Sequence, residues 1–180
     1  MGGGRTGTRG NILFFNSDPR RRLAMADALG TILLADDNHF DVELTVDALD
    51  KCNLANPLVI VGDGAEALDF LYRRGKYATR GAGNPIVFLL DIKMPKVDGL
   101  EVLRRVKSDP DLKPIPVVML TSSAEEPDLR ESYRLGANAY VVKPVKFQDF
   151  APAVAALGKF WAVVNAPPPD DSQETPPANG

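Results

Sequence analysis

Pro85-Ile-Val-Phe-Leu-Leu-Asp-Ile-Lys-Met-Pro-Lys-Val-Asp-Gly99 is an apolar run closed by one carboxylate and followed by turn residues. Ile86 to Leu90 shows no polar alternation, the pattern of a strand buried on both faces as in a parallel sheet. Asp91 then stands at the strand's carboxyl end, and Met94-Pro95 with Asp98-Gly99 turns the chain before a helix begins. In open α/β sheets ligands bind outside that edge. Taken alone, an Asp here is most often a turn residue, so its meaning rests on what else the fold brings to it.

Outward from this stretch the signals repeat. Ile32 to Ala35 reads as a strand ending in Asp36-Asp37-Asn38, and Asp41 to Asp50 as an amphipathic helix with Val42, Val46 and Leu49 on one stripe. Pro57 to Val61 is a strand, Ala65 to Arg73 a helix, and Gly75 to Asn84 a loop. Leu100 to Lys107 is a helix stopped by Asp109-Pro110, and Ile115 to Leu120 a buried strand, with Thr121-Ser122-Ser123 as cap of the next helix. Leu129 to Leu135 is helical with Gly136 as its stop. Tyr140 to Val142 is the last strand and Phe150 to Val164 the last helix, with Pro152 in its first turn. Five strands alternating with five helices imply right-handed crossovers and a doubly wound parallel sheet; the expected order is the flavodoxin-like 2-1-3-4-5.

With 180 residues, 44% hydrophobic and 25% charged, the chain supports one globular core. Residues 1–30 read as a glycine-rich, flexible extension holding a short strand at Ile12 to Phe15 and a helix from Ser17 to Leu29. Residues 31–165 form the domain, and the proline-rich residues 166–180 a disordered tail. A net charge of −3 and a pI near 5.2 give no basic footprint for direct nucleic-acid binding. One cysteine, Cys52, excludes an internal disulfide or thiolate cage and fits a cytoplasmic setting. No apolar run approaches the ~20 residues that span a bilayer, and no apolar signal core follows the glycine-rich start.

In the expected strand order Asp36, Asp37 and Asp91 converge at one sheet edge. Carboxylates about 4 Å apart repel by roughly 4 kcal/mol per pair at an effective dielectric of 20, so the cluster needs a proton or a cation. An all-oxygen donor set selects a hard ion, Mg²⁺ being the expected one. Thr121 and Lys143 reach the same edge from the fourth and fifth strands. A carboxylate nucleophile, a divalent ion, a hydroxyl and an ammonium are the parts of a phosphoryl-transfer site. The chain has no phosphate-cradling glycine loop, so a donor nucleotide is not expected to bind.

These residues resemble the receiver domains of two-component response regulators. The resemblance covers about Thr31 to Val164 and rests on the acidic pair, Asp91-x-x-x-Pro95-x-x-Asp98-Gly99, Thr121-Ser122 and Lys143-Pro144, in order and at family spacing. It implies that Asp91 is the phospho-acceptor and that Asp37, Asp91 and the Lys93 carbonyl bind Mg²⁺, with Asp36 assisting through water. It implies that Thr121 and Lys143 contact phosphoryl oxygens, that the Lys143-Pro144 bond is cis, and that Tyr140 changes rotamer with Thr121. The Asp41-Val-Glu-Leu-Thr45 helix, the loop at Gly75 to Asn84 and the Phe160-Trp161 ending look most like the stand-alone receivers paired with bacterial phytochrome-type histidine kinases. Such a kinase is the implied partner.

Other readings use the same residues. A haloacid-dehalogenase-type hydrolase also uses an Asp nucleophile and Mg²⁺, but wants a second acid where this chain has Lys93. An interaction module that never turns over phosphate would not need the full set. His39, the only histidine, reads as solvent-exposed at a helix start, and Cys52 as an inert packing residue. In the last helix Phe150, Val154, Leu157, Trp161 and Val164 form a stripe that would cover the sheet, and Ala153, Ala156, Phe160 and Val163 form a second beside it. The second stripe predicts a homodimer through this helix, unless Ile12 to Phe15 folds back over it.

Overall fold

The computed structural model describes residues 12–13, 30–51, 54, 56–81, 83–122, 125–143 and 147–166, and within these the side chains of 12–13 and 147–151 are left aside. The expected helix at 17–29, Cys52, Pro144 and residues 167–180 of the tail lie outside the described residues.

Strands β1 (Ile12–Leu13), β2 (Ile32–Ala35), β3 (Leu58–Val61), β4 (Val87–Leu90), β5 (Val117–Thr121) and β6 (Ala139–Val142) form one sheet in the order β1-β3-β2-β4-β5-β6. The pairings among β2 to β6 are all parallel, which gives the expected 2-1-3-4-5 order. The addition is β1, which pairs antiparallel with β3, Ile12 opposite Val59 and Leu13 opposite Leu58. Ile12 and Leu13 therefore extend the sheet; Phe14 and Phe15 lie outside the described residues.

The helices are α1 (His39–Asp50), α2 (Gly64–Leu71), α3 (Gly99–Ser108), α4 (Glu126–Arg134) and α5 (Phe147–Lys159). Because β2, β4 and β5 are buried along their whole length, the core divides into two layers, one on each face of the sheet. One layer gathers Leu33, Phe88, Leu90, Val102, Leu103, Val106 and Met119 under α2 and α3, and the other gathers Ile32, Leu34, Leu49, Leu89, Leu120 and Val154 under α1 and α5. Helix starts follow local chemistry: the side chains of Asn38, Asp63 and Asp98 accept the N–H groups of Phe40, Glu66 and Glu101.

Three local expectations change. Helix α4 starts at Glu126 with Glu125 as its cap residue and Pro127 in its first turn, so Thr121-Ser122-Ser123 is not its cap. Helix α5 starts at Phe147, so Pro152 lies inside it rather than in its first turn; Pro152 is exposed, on the solvent side. Beyond Lys159 the helix widens into a π-turn at Phe160–Val164, closed by a bond from Asn165 N–H to the Phe160 carbonyl (2.8 Å). The wider turn carries Val164 off the buried stripe to 66% exposure, while Val154 stays fully buried and Trp161 packs against the second core layer.

The loop at Gly75 to Asn84 is more ordered than its composition implies. It opens with a 3₁₀ turn at Gly75–Tyr77, and Arg80 reaches back to the end of α2, donating to the carbonyls of Phe70 (2.7 Å) and Leu71 (3.2 Å) while its guanidinium lies 4.4 Å from the Phe70 ring centroid.

Two glycines set the spacing of the loops above the sheet. A Cβ on Gly99 would lie 2.0 Å from the Asp91 carbonyl oxygen, and one on Gly64 would lie 2.0 Å from the Val97 carbonyl oxygen and 2.8 Å from Val102 Cγ2. Gly64→Ala is expected to destabilise the domain by about 1–3 kcal/mol through overpacking against rigid backbone. Gly62→Ala, where nothing lies within 4 Å, is the control, and urea denaturation of both variants measures the difference.

Candidate functional site

The register of three strands builds the site. Ala35 pairs with Leu90, so the next residues, Asp36 and Asp91, emerge side by side from β2 and β4. The Asp36 N–H donates to Val61 O (3.1 Å) and the Asp91 N–H to Ala35 O (2.9 Å), which extends the ladder one step past the strands and fixes both acids. On the other flank Thr121 pairs with Val142, and the Lys143 N–H donates to Thr121 O (2.7 Å), so the last residue of β5 and the first beyond β6 are tied together.

Carboxylate oxygens of Asp36, Asp37 and Asp91 all lie within 4.8 Å of one another; Asp36 and Asp91 are buried and Asp37 is exposed. Asp36 Oδ1 accepts from Asn38 N–H (3.0 Å), which orients it against the turn into α1. Lys143 enters from the opposite side, its side chain only 8% exposed, with Nζ donating to Asp36 Oδ2 at 2.6 Å and Asp41 Oδ2 at 2.9 Å. Asp91 Oδ1 is 3.6 Å from the same nitrogen, beyond hydrogen-bonding distance. That oxygen is buried and has no hydrogen-bond partner among the described residues. Thr121 is fully buried at the end of β5, and Tyr140, half-buried on β6 opposite Met119, packs against the first core layer.

The charges are held at some cost. Burial pushes the Asp36 carboxyl up to about 6 against the pull of Lys143, and burial likewise raises Asp91, with Asp37 adding to it. Burial works to lower the Lys143 ammonium, but the charges of Asp36 and Asp91 and the bonds to Asp36 and Asp41 outweigh it and raise it. One ammonium thus stands among a larger number of carboxylates. The remaining negative charge, the orphaned Asp91 oxygen and the absence of sulfur or imidazole donors in the cluster fit a hard, oxygen-seeking divalent cation.

Asp36, Asp37, Asp91, Thr121 and Lys143 are therefore brought to one edge as expected. Lys93 sits in the β4 to α3 loop with an exposed side chain, and the Lys143-Pro144 bond lies outside the described residues. His39 is exposed at the first turn of α1, 3.0 Å from Glu43. In the sequence Asp41 marks only the start of a helix, where an acid suits the dipole; Asp37 lies ahead of the Asn38 cap, so no helical spacing ties Asp41 to the acidic pair. No sequence signal singles out Lys96, yet it takes a positive φ of 65° and its Nζ lies 2.5 Å from Asp63, linking the β4 to α3 loop to the start of α2.

Residues 32–155 match the family model of the response regulator receiver domain. The chain belongs to the response regulator receiver family. Response regulator Rcp1 of Synechocystis sp. is 39% identical over 130 residues, which cover 72% of this chain and 87% of that protein. The crystal structure of the Mn²⁺-bound form of Rcp1 superimposes on this receiver with a TM-score of 0.72 at 37% identity, covering 78% of this chain and 99% of that one. The bacteriophytochrome response regulator AtBRR is 58% identical with a TM-score of 0.63, covering 77% of this chain and 99% of that one. This receiver is thus a phosphoryl-accepting signalling domain most like the phytochrome-associated response regulators. No described helix is long and apolar enough to cross a membrane.

In the receiver free of divalent ions, the folded state binds a proton at Asp36 more tightly than the unfolded chain, whose carboxyl titrates near 3.8. The stability this contributes is complete below the unfolded value and lost as pH rises through about 6. With chelator present, Tm is expected to fall between pH 5 and pH 7, and Asp36→Asn to flatten that fall and melt above the parent at the higher pH. A variant melting lower by the same amount at both pH values would mean that the bond to Lys143, and not burial of charge, governs this position.

Proposed function

We propose that Asp91 is the phospho-acceptor, that Thr121 and Lys143 receive the phosphoryl oxygens, and that the donor is a phytochrome-type histidine kinase in the cytoplasm. The observation that carries this reading is the buried Asp91 Oδ1, without a hydrogen-bond partner among the described residues, 3.6 Å from the Lys143 ammonium and beside two further carboxylates. A buried oxygen left unbonded is costly, and a group waiting for an electrophile accounts for it.

An Asp91 carboxylate oxygen bonds to phosphorus, the P–N bond of the donor phosphohistidine breaks, and its electron pair stays on the imidazole nitrogen. Later hydrolysis adds a water oxygen to phosphorus and breaks the Asp91 O–P bond, returning the carboxylate and inorganic phosphate. A divalent cation, for which we propose Mg²⁺ held by Asp37, Asp91 and the Lys93 carbonyl with Asp36 assisting, supplies charge neutralisation when bound. Lys143 supplies the fixed positive charge, and the Thr121 hydroxyl a donor that can move with Tyr140. The competing reading, a multiple-turnover hydrolase, needs a second acid at position 93, where the side chain is an exposed lysine.

Incubation with acetyl phosphate and Mg²⁺ is expected to label the parent stably, Asp91→Asn not at all, and Asp37→Ala weakly and without dependence on the metal, its fold unchanged by circular dichroism. Label mapped by mass spectrometry to another aspartate of Asp91→Asn would sink the assignment.

The same reading includes self-association through the end of α5. Phe160, Val163 and Val164 are 48%, 67% and 66% exposed, and Phe160 meets Trp161 edge to face with ring centroids 5.0 Å apart. A clustered apolar surface of this kind is covered most economically by a second copy. Sedimentation is expected to give a dimer for the parent at micromolar concentration and a monomer for Phe160→Asp/Val163→Asp, a pair chosen because Trp161 belongs partly to the core. A monomeric parent refutes the dimer.

A further inference from the structure

Lys143 can donate three hydrogen bonds, and in this structure its short bonds go to Asp36 (2.6 Å) and Asp41 (2.9 Å), with Asp91 left at 3.6 Å. Asp41 comes from the first turn of α1, not from the sheet edge, and it stands outside the cluster formed by Asp36, Asp37 and Asp91. Its side chain is 25% exposed, against 1% for Asp36 and 7% for Asp91. Of the acids around Lys143, Asp41 is thus the one whose charge is neither deeply buried nor spent on the carboxylate cluster.

Its backbone is fixed independently of Lys143, since the Asp41 carbonyl accepts from the Thr45 hydroxyl (2.8 Å) and Thr45 is fully buried. Asp41 is therefore held against Lys143 by the fold of α1 and does not follow the ammonium if it moves. Resting on the reading of Asp91 as phospho-acceptor, we propose that Asp41 is a positioning residue that competes with the phosphoryl group on Asp91 for the Lys143 ammonium, and so sets how tightly this receiver holds its phosphoryl group. Each phosphorylation draws Lys143 from Asp41 toward a phosphoryl oxygen, breaking a charge-assisted hydrogen bond, one of the stronger kinds. The equilibrium is biased toward the unphosphorylated state by that amount.

Beryllium trifluoride with Mg²⁺ is the probe, a phosphoryl mimic read by calorimetry on the full chain. Asp41→Asn, which keeps the shape and removes the charge, is expected to bind the probe on the order of tenfold more tightly than the parent. Asp41→Ser, suited to the first turn of a helix, tests the same point should the amide variant fold poorly. Before the probe is added, the Lys143 ammonium resonance should shift in Asp41→Asn, which a merely structural role at the helix start would not produce. In a Lys143→Ala background the Asp41 substitution should no longer alter affinity, because the interaction it acts through is gone. Unchanged or weaker probe binding in both Asp41 variants overturns the proposal while leaving the phospho-acceptor reading intact. A parent that takes up no probe and no label overturns both.

Discussion

The constraint on which the site depends is the neutralisation of several carboxylates by one buried ammonium. The parallel register places Asp36 and Asp91 next to each other whatever their charge, and the cores beneath them leave little water to screen it. Lys143 is delivered by the end of β6, with its N–H bonded to Thr121 O, and its bonds with Asp36 and Asp41 let the fold stand with the acids in place. Charge balance is nonetheless incomplete, since one ammonium faces Asp36, Asp41 and Asp91 with Asp37 beside them, while burial raises the Asp36 and Asp91 carboxyls. This shortfall of positive charge is what makes the pocket receptive to a cation.

Backbone proximity is the second device. Gly99 lets the turn after β4 close on the Asp91 carbonyl, where its N–H also donates to Ile92 O (2.8 Å). Gly64 lets the loop carrying Val97 rest on the start of α2, and the Lys96 to Asp63 ion pair pins the same loop from outside. The loop between Asp91 and Asp98 is therefore clamped at both ends and anchored by the buried Ile92 and Met94, while the side chains of Lys93 and Pro95 face solvent. A rigid frame around an accessible rim suits a site that must keep its nucleophile still and admit a partner protein.

How much of this is legible in the residues alone follows from which periodicities are at work. Asp36, Asp37, Asp91, Thr121 and Lys143 are legible because each ends or follows an unbroken apolar strand, and a parallel sheet collects such ends along one edge. Asp41 is not, because its direction depends on the angle at which α1 leaves the turn, and that angle is fixed by the Asn38 cap rather than by any repeat. Val164 leaves the side of α5 that its spacing predicts because a period of 3.6 does not anticipate a π-turn. The Thr121-Ser122-Ser123 run resembles a cap, but Glu125 takes that place two residues further on, and a capping side chain acts only within its own turn. The pairing of β1 is invisible for another reason: two residues carry no period.

That short strand bears on how the domain resists aggregation. It occupies the outer side of β3, whose Leu58-Val-Ile-Val61 is continuous, aliphatic and free of charge. Such a segment with open N–H and C=O groups is a template for edge-to-edge pairing and fibrous aggregation. Ile12 and Leu13 occupy the Leu58-Val59 half of that template and so shorten the edge open to another chain.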